Sequence, residues 1–111
     1  MTMDFAERDG LSVLALQGRL NVNTVDEFRG AVTDALRAGN TRLLIDLRGT
    51  DWVDSTGLGA LVWAATAARR EGGDLRLVNV GENVRMLLKL TSVEKALPVV
   101  DDHHEKPETE R

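Results

Sequence analysis

Leu43-Leu44-Ile45-Asp46-Leu47 and, shortly after it, Val53-Asp54-Ser55-Thr56-Gly57-Leu58-Gly59-Ala60 decide the fold of this chain. The first is a short apolar run bounded by turn residues, which predicts a central buried strand. The second opens a helical stripe carried by Leu58, Leu61, Val62, Ala65 and Ala68. A strand that feeds a helix and is followed by another strand is one crossover of a parallel sheet. At the junction an acid and two hydroxyls stand where the first four helical N–H groups lack partners within the helix. Gly57 and Gly59 take side chains out of the first turn, which predicts that another molecule approaches the backbone closely there. Such a place suits a phosphate, or a partner that must detect one.

Moving towards the N-terminus, Val25, Phe28, Val32, Ala35 and Leu36 recur at helical spacing. Thr24 with Glu27 three residues on has the capping-box pattern, and Gly39-Asn40 predicts a left-handed stop. The segment Gly18-Arg19-Leu20-Asn21-Val22-Asn23-Thr24 reads as a turn plus cap, or as a second contact loop beside the Asp54-Ser55 helix start. Met3 to Gln17 reads as two strands joined at Asp9-Gly10, a strong hairpin signal. Leu11, Val13, Ala15 and Gln17 alternate with Ser12, Leu14 and Leu16; both sets are mostly apolar, which predicts a strand covered on both faces.

Towards the C-terminus, Arg69-Arg70 suit the last turn of the second helix and Gly72-Gly73 end it. Leu75, Leu77 and Asn79 alternate with Arg76, Val78 and Val80 as a further strand. Val84, Leu87, Leu88 and Leu90 mark a third helix, capped near Gly81 to Asn83. A helical turn at Glu94-Lys95 and an extended piece at Leu97 to Val100 follow. The order predicts a small α/β domain over residues 3–100. Its mixed, mostly parallel sheet has four to five strands, an N-terminal hairpin and helices packed against it. Asp101 to Arg111 reads as a polar, disordered tail.

The 111 residues suffice for one real core, and 42% apolar with 29% charged residues is an ordinary globular balance. No cysteine is present, which excludes disulfides, thiolate zinc sites and thiol nucleophiles. The N-terminus lacks the basic and apolar regions of a signal peptide, and no segment reaches the roughly 18 apolar residues of a membrane span. A cytoplasmic protein that binds no membrane is expected. Residues 101–111 hold five acids against two bases, a net −3 that leaves −1 of the formal −4 on the rest. Basic residues interleaved with acids argue against direct nucleic-acid binding.

Enzyme readings of the Ser55 region fail on spacing. A nucleophile elbow needs glycine two before and two after the serine, and here Val53 and Gly57 hold those places. The two histidines, His103 and His104, fall in the polar tail, far from any place to act as base. Gly57-Leu58-Gly59 lacks the Lys-Ser/Thr ending of a phosphate-binding loop. His103-His104-Glu105 are adjacent in a tail, a poor closed metal site. No catalytic residue, metal or cofactor is expected. Asp54-Ser55-Thr56 is then either a plain helix cap or a cap whose serine is phosphorylated. For Trp52 and Trp63 core packing is the favoured role, with an interface as the alternative.

Met3 to about Val100 resembles the STAS family, specifically the bacterial anti-sigma factor antagonists. The resemblance rests on ordered pieces: Gly18-Arg19-Leu20-Asn21 before a helix from Thr24, then Leu44-Ile45-Asp46-Leu47. Val53-Asp54-Ser55-Thr56-Gly57-Leu58-Gly59 comes next, and Gly72-Gly73 before Leu75-Arg76-Leu77-Val78 completes the set. It implies partner switching. In that family the unphosphorylated antagonist binds an anti-sigma factor that is often also an ATP-dependent serine kinase, and so frees a sigma factor. Phosphorylation breaks the complex and a phosphoserine phosphatase restores it. By position, Ser55 is the phosphoacceptor with Thr56 as runner-up. Asp54, Ser55, Thr56, Gly57, Leu58, Gly59, Asn21 and Asn23 are the implied partner-binding residues, and a monomer is expected when free. The family often carries an acid, Leu and Asp where this chain has Arg19-Leu20-Asn21, so its partner is expected to differ in charge. The alternative is a scaffold or transporter-associated STAS module with no phosphorylation switch.

Overall fold

A computed structural model describes residues 1–100 of the chain; the expected tail, with its His103-His104 pair, lies outside the described residues. Eight elements follow one another: β1 (Thr2–Arg8), β2 (Leu11–Gln17), α1 (Val25–Arg37), β3 (Arg42–Gly49), α2 (Ser55–Arg70), β4 (Asp74–Val78), α3 (Glu82–Leu90) and β5 (Val99–Val100). They form one five-stranded sheet in chain order, β1-β2-β3-β4-β5. β1 runs antiparallel to β2, and the other three pairings are parallel. The Asp9-Gly10 turn has both residues at positive φ, 52° and 80°, the twist that matches a two-residue hairpin.

Strand order that follows chain order, with crossovers of one hand, puts successive helices on the same side of the sheet. The core agrees. Leu14 and Leu16 of β2, Leu43, Ile45 and Leu47 of β3, and Leu75 and Leu77 of β4 are alternate residues. They share one cluster with Phe28 and Val32 of α1, Leu61 and Ala64 of α2, and Val84 and Leu88 of α3. Each large side chain fully removed from water contributes roughly 1.5–3 kcal/mol, so this single layer dominates the stability. The expectation that β2 is covered on both faces is corrected. Leu11, Val13 and Ala15 are only half-buried and lie on the opposite face, in register with Leu44 and Asp46 of β3. Apolar residues on both sides of a strand do not by themselves reveal how many layers the chain can supply.

Two smaller expectations also change. Leu90 is 77% exposed and does not belong to the α3 stripe, because two residues beyond Leu88 it falls on the opposite side of the helix from the buried Val84–Leu88 face. Trp63 packs against the core but is only half-buried, and Arg29 of α1 lies over its ring, 5.2 Å from the centroid. This cation–π contact joins α1 to α2. Arg29→Gln is expected to destabilise the fold by about 0.5–1 kcal/mol, read as a lower urea midpoint with an unchanged slope.

Candidate functional site

Two loops leave the carboxyl ends of β2 and β3 and meet at the start of α2, where α/β sheets commonly place ligands and partners. The loop after β2 is joined to the segment before α2 by main-chain contacts. Leu20 N–H donates to the Trp52 carbonyl at 3.0 Å, and Asp54 N–H donates to the Leu20 carbonyl at 3.2 Å. Leu20 and Val53 thereby form an isolated parallel bridge, and both side chains are buried in the core.

Asp54 is the N-cap of α2. Its Oδ1 accepts from Gly57 N–H at 2.8 Å, satisfying one of the orphan amides of the first turn. Its Oδ2 accepts from Val22 N–H at 3.2 Å, thirty-two residues away in sequence. One carboxylate thus caps the helix and holds the neighbouring loop. Asp54→Ala is expected to cost about 1–2 kcal/mol. Asp54→Asn retains a single acceptor oxygen, so it is expected to keep the cap, release Val22 and cost about 1 kcal/mol. Denaturation measures both, and faster amide exchange at Val22 in the Asn variant reports the lost tether.

Ser55 is the first residue of α2 and is exposed, whereas Thr56 is half-buried. Gly57 and Leu58 are buried, and Gly59 is open to solvent. The reading that both glycines make room for another molecule is corrected for Gly57. A Cβ there would collide with the Leu20 carbonyl and meet Leu20 Cγ at 3.0 Å, so the close neighbour is the chain's own loop. At Gly59 a Cβ would meet nothing within 4 Å.

The loop after β2 holds its own shape. Asn21 Oδ1 accepts from Asn23 N–H at 2.9 Å. Thr24 Oγ1 accepts from Asn21 N–H at 3.0 Å and donates to the Arg19 carbonyl at 2.7 Å. The predicted capping box at Thr24 is absent: Thr24 occupies the N-cap position of α1 but makes no side-chain cap bond. Its hydroxyl is engaged in closing the loop instead. The structure therefore brings the Asn21–Asn23 segment beside the Asp54–Gly59 helix start, with Asn23 exposed and Asn21 half-buried.

Sequence reading undervalued Trp52, which is 53% exposed and so does not pack in the core. It lines a polar recess of about 260 Å³ with Arg19, Asp51 and Asn83, next to the loop that Leu20 ties down. Val53, bridged to Leu20, takes the inward position of this segment, and the indole before it is turned out to solvent. Val22 is also exposed, at 64%. The end of the domain therefore offers Val22, Ser55 and Trp52 around a rigid carboxylate.

A family model for the STAS domain matches residues 2–106. The chain belongs to the STAS domain family. Among the relatives of this STAS domain, the anti-sigma F factor antagonist of Paenibacillus polymyxa is 23% identical over 103 residues, covering 92% of this chain and 88% of that protein. The anti-sigma factor antagonist of Mycobacterium paratuberculosis superposes with a TM-score of 0.82 at 24% identity, over 94% of this chain and 88% of that one. The Bacillus cell fate determinant SpoIIAA in its phosphorylated form has a TM-score of 0.70 at 16% identity, over 94% and 96% of the two chains. At these identities the two superpositions show a common fold. No helix among the described residues of the STAS domain is long and apolar enough to cross a membrane.

Proposed function

We propose that this STAS domain is an anti-sigma factor antagonist, acting in the cytoplasm by partner switching, with Ser55 as its switch. The observation that carries the reading is the placement of Ser55. It is exposed at the first position of α2, beside a capping carboxylate whose two oxygens are already held by Gly57 and Val22. Relatives with the same fold are anti-sigma factor antagonists, and one was solved phosphorylated.

In this reading the unmodified surface around Ser55, Val22 and Trp52 binds an anti-sigma factor that is also a serine kinase. Ser55 Oγ attacks the γ-phosphorus of the kinase's ATP; the bond to the β-phosphate oxygen breaks, ADP leaves, and the hydroxyl proton passes to a base on the kinase. The phosphate adds about −1.5 to −2 charges next to Asp54. The helix N-terminus tolerates that charge, so the domain stays folded. A partner face that buries it without a new cation pays the desolvation cost, and about 1.4 kcal/mol is already tenfold in affinity. A phosphoserine phosphatase returns the surface to its binding state. Half-burial of Thr56 makes it the poorer acceptor.

Mass-spectrometric mapping of the protein from its own cells, across growth and stress conditions, tests this. Phosphate at Ser55 that varies with condition is the expected result. Ser55 unmodified in every condition overturns the switch and leaves a constitutive scaffold or transporter-associated STAS module.

A further inference from the structure

The outer edge of β1 is open. β1 pairs with β2 along one side and stands first in the strand order, so among the described residues nothing pairs with its other side. Every second residue of this seven-residue strand, which holds no proline, thus turns an unpaired N–H and C=O outward, which is the usual template for strand addition. Alongside runs an apolar groove of about 370 Å³ between the hairpin and α1, lined by Met3, Phe5, Leu14, Ala31, Ala35 and Ala38. Phe5 is 51% exposed at its rim. A lone exposed aromatic is ordinary; one that borders an apolar groove on an unpaired strand edge is not.

The strand is also complementary to itself. Met3, Phe5 and Glu7 pair with Leu16, Leu14 and Ser12 and lie on the helix side, while Asp4, Ala6 and Arg8 lie on the open side. Turn a second copy about a two-fold axis through Phe5, perpendicular to the sheet, and all seven residues of β1 find partners. Phe5 then faces its own copy, Met3 faces Glu7, Thr2 faces Arg8, and the two grooves join on one side. On the other side Asp4 of each copy lies diagonal to Arg8 of the other, within reach of a long side chain, so two opposite-charge contacts stand against one diagonal Asp4–Asp4 contact across the axis.

We propose that β1 is a self-pairing edge, through which two copies of this chain join antiparallel over Thr2–Arg8 into one ten-stranded sheet centred on Phe5. This replaces the monomer expected from sequence, and it does not depend on the role of Ser55. The loops around Ser55 sit at the far end of β2 from the hairpin turn. The two-fold therefore carries the two Ser55 surfaces to opposite ends of the joined sheet, both free.

The absence of cysteine makes the test clean. Directly opposed residues in an antiparallel pair have Cα atoms about 4.5–5.5 Å apart, within the Cα separation a disulfide spans. Under mild oxidation of the full chain, Phe5→Cys is expected to give a linked dimer. Met3→Cys and Glu7→Cys are each expected to stay unlinked alone but to link when mixed. Light scattering on the unaltered chain is expected to give the mass of two chains, and Phe5→Lys to weaken that association at least about tenfold with an unchanged circular dichroism spectrum. A single-chain mass up to the solubility limit, with Phe5→Cys linking no faster than the exposed control Glu71→Cys, overturns the proposal. A two-chain mass without the Phe5→Cys link overturns it as well, because another surface then holds the dimer.

Discussion

Replacing Gly57 by alanine is expected to lower the stability of the domain by about 3 kcal/mol, while the same change two residues later at Gly59 is expected to raise it by about 0.5–1 kcal/mol. Both glycines stand in the first turns of α2, and both gain the same helix propensity from alanine. The difference is in what surrounds them. At position 57 the new methyl group meets the backbone of Leu20, which is fixed by its bonds to Trp52 and Asp54 and by a fully buried side chain. Backbone held on both sides cannot yield cheaply, so either the loop after β2 lifts off or α2 shifts. At position 59 the methyl group enters open space. Urea denaturation of the two variants measures the contrast directly. Equal effects of the two substitutions would show that the loop relaxes freely, against the rigid frame described above. Because either movement displaces the surface around Ser55, partner affinity is expected to fall in Gly57→Ala even under conditions where the variant is fully folded.

The second large effect is on binding. Ser55→Ala is expected to leave stability within about 0.5 kcal/mol of the parent and to bind the anti-sigma partner constitutively, with no loss on incubation with the kinase and ATP. Phosphorylated parent protein is expected to bind at least about a hundredfold more weakly, an amount that corresponds to ~2.8 kcal/mol. Ser55→Asp should fall between them, since a carboxylate carries about half the charge of a phosphate at neutral pH. Isothermal titration with the purified anti-sigma factor supplies all three affinities. Kinase-dependent release that persists in Ser55→Ala would move the switch to Thr56. Equal affinity of phosphorylated and unmodified protein would remove the electrostatic basis of switching altogether.

Most elements were legible because they depend on local pattern. The run Leu43 to Leu47, the stripes of α1 and α2, the Asp9-Gly10 turn and the placement of Asp54 before α2 all follow from spacing or turn chemistry within a few residues. The features that were not legible depend on partners far along the chain. Gly57 is small because of Leu20, thirty-seven positions earlier, and no local rule distinguishes it from Gly59. Thr24 carries a capping pattern, yet its hydroxyl closes the loop onto Arg19 and Asn21. Both faces of β2 are apolar, but strands in chain order leave helices for one side only. Within the site, Asp54 and Ser55 were readable as a helix start. The tether from Asp54 to Val22 and the exposure of Trp52 were not.

The loop after β2 is fastened to the helix start through peptide groups: the Leu20 N–H and carbonyl, and the Val22 N–H. Every residue except proline brings the same N–H, and every residue the same carbonyl, whatever its side chain. The exposed side chains of Arg19, Val22 and Asn23 can therefore be exchanged over evolution without moving the serine or its cap. In the partner-switching reading proposed above, changes confined to this loop would let related domains address different partners while the serine and its cap keep their geometry. Under that reading Arg19 is one spelling in an interchangeable address, and loop-swap chimeras between related domains are expected to carry partner choice with them.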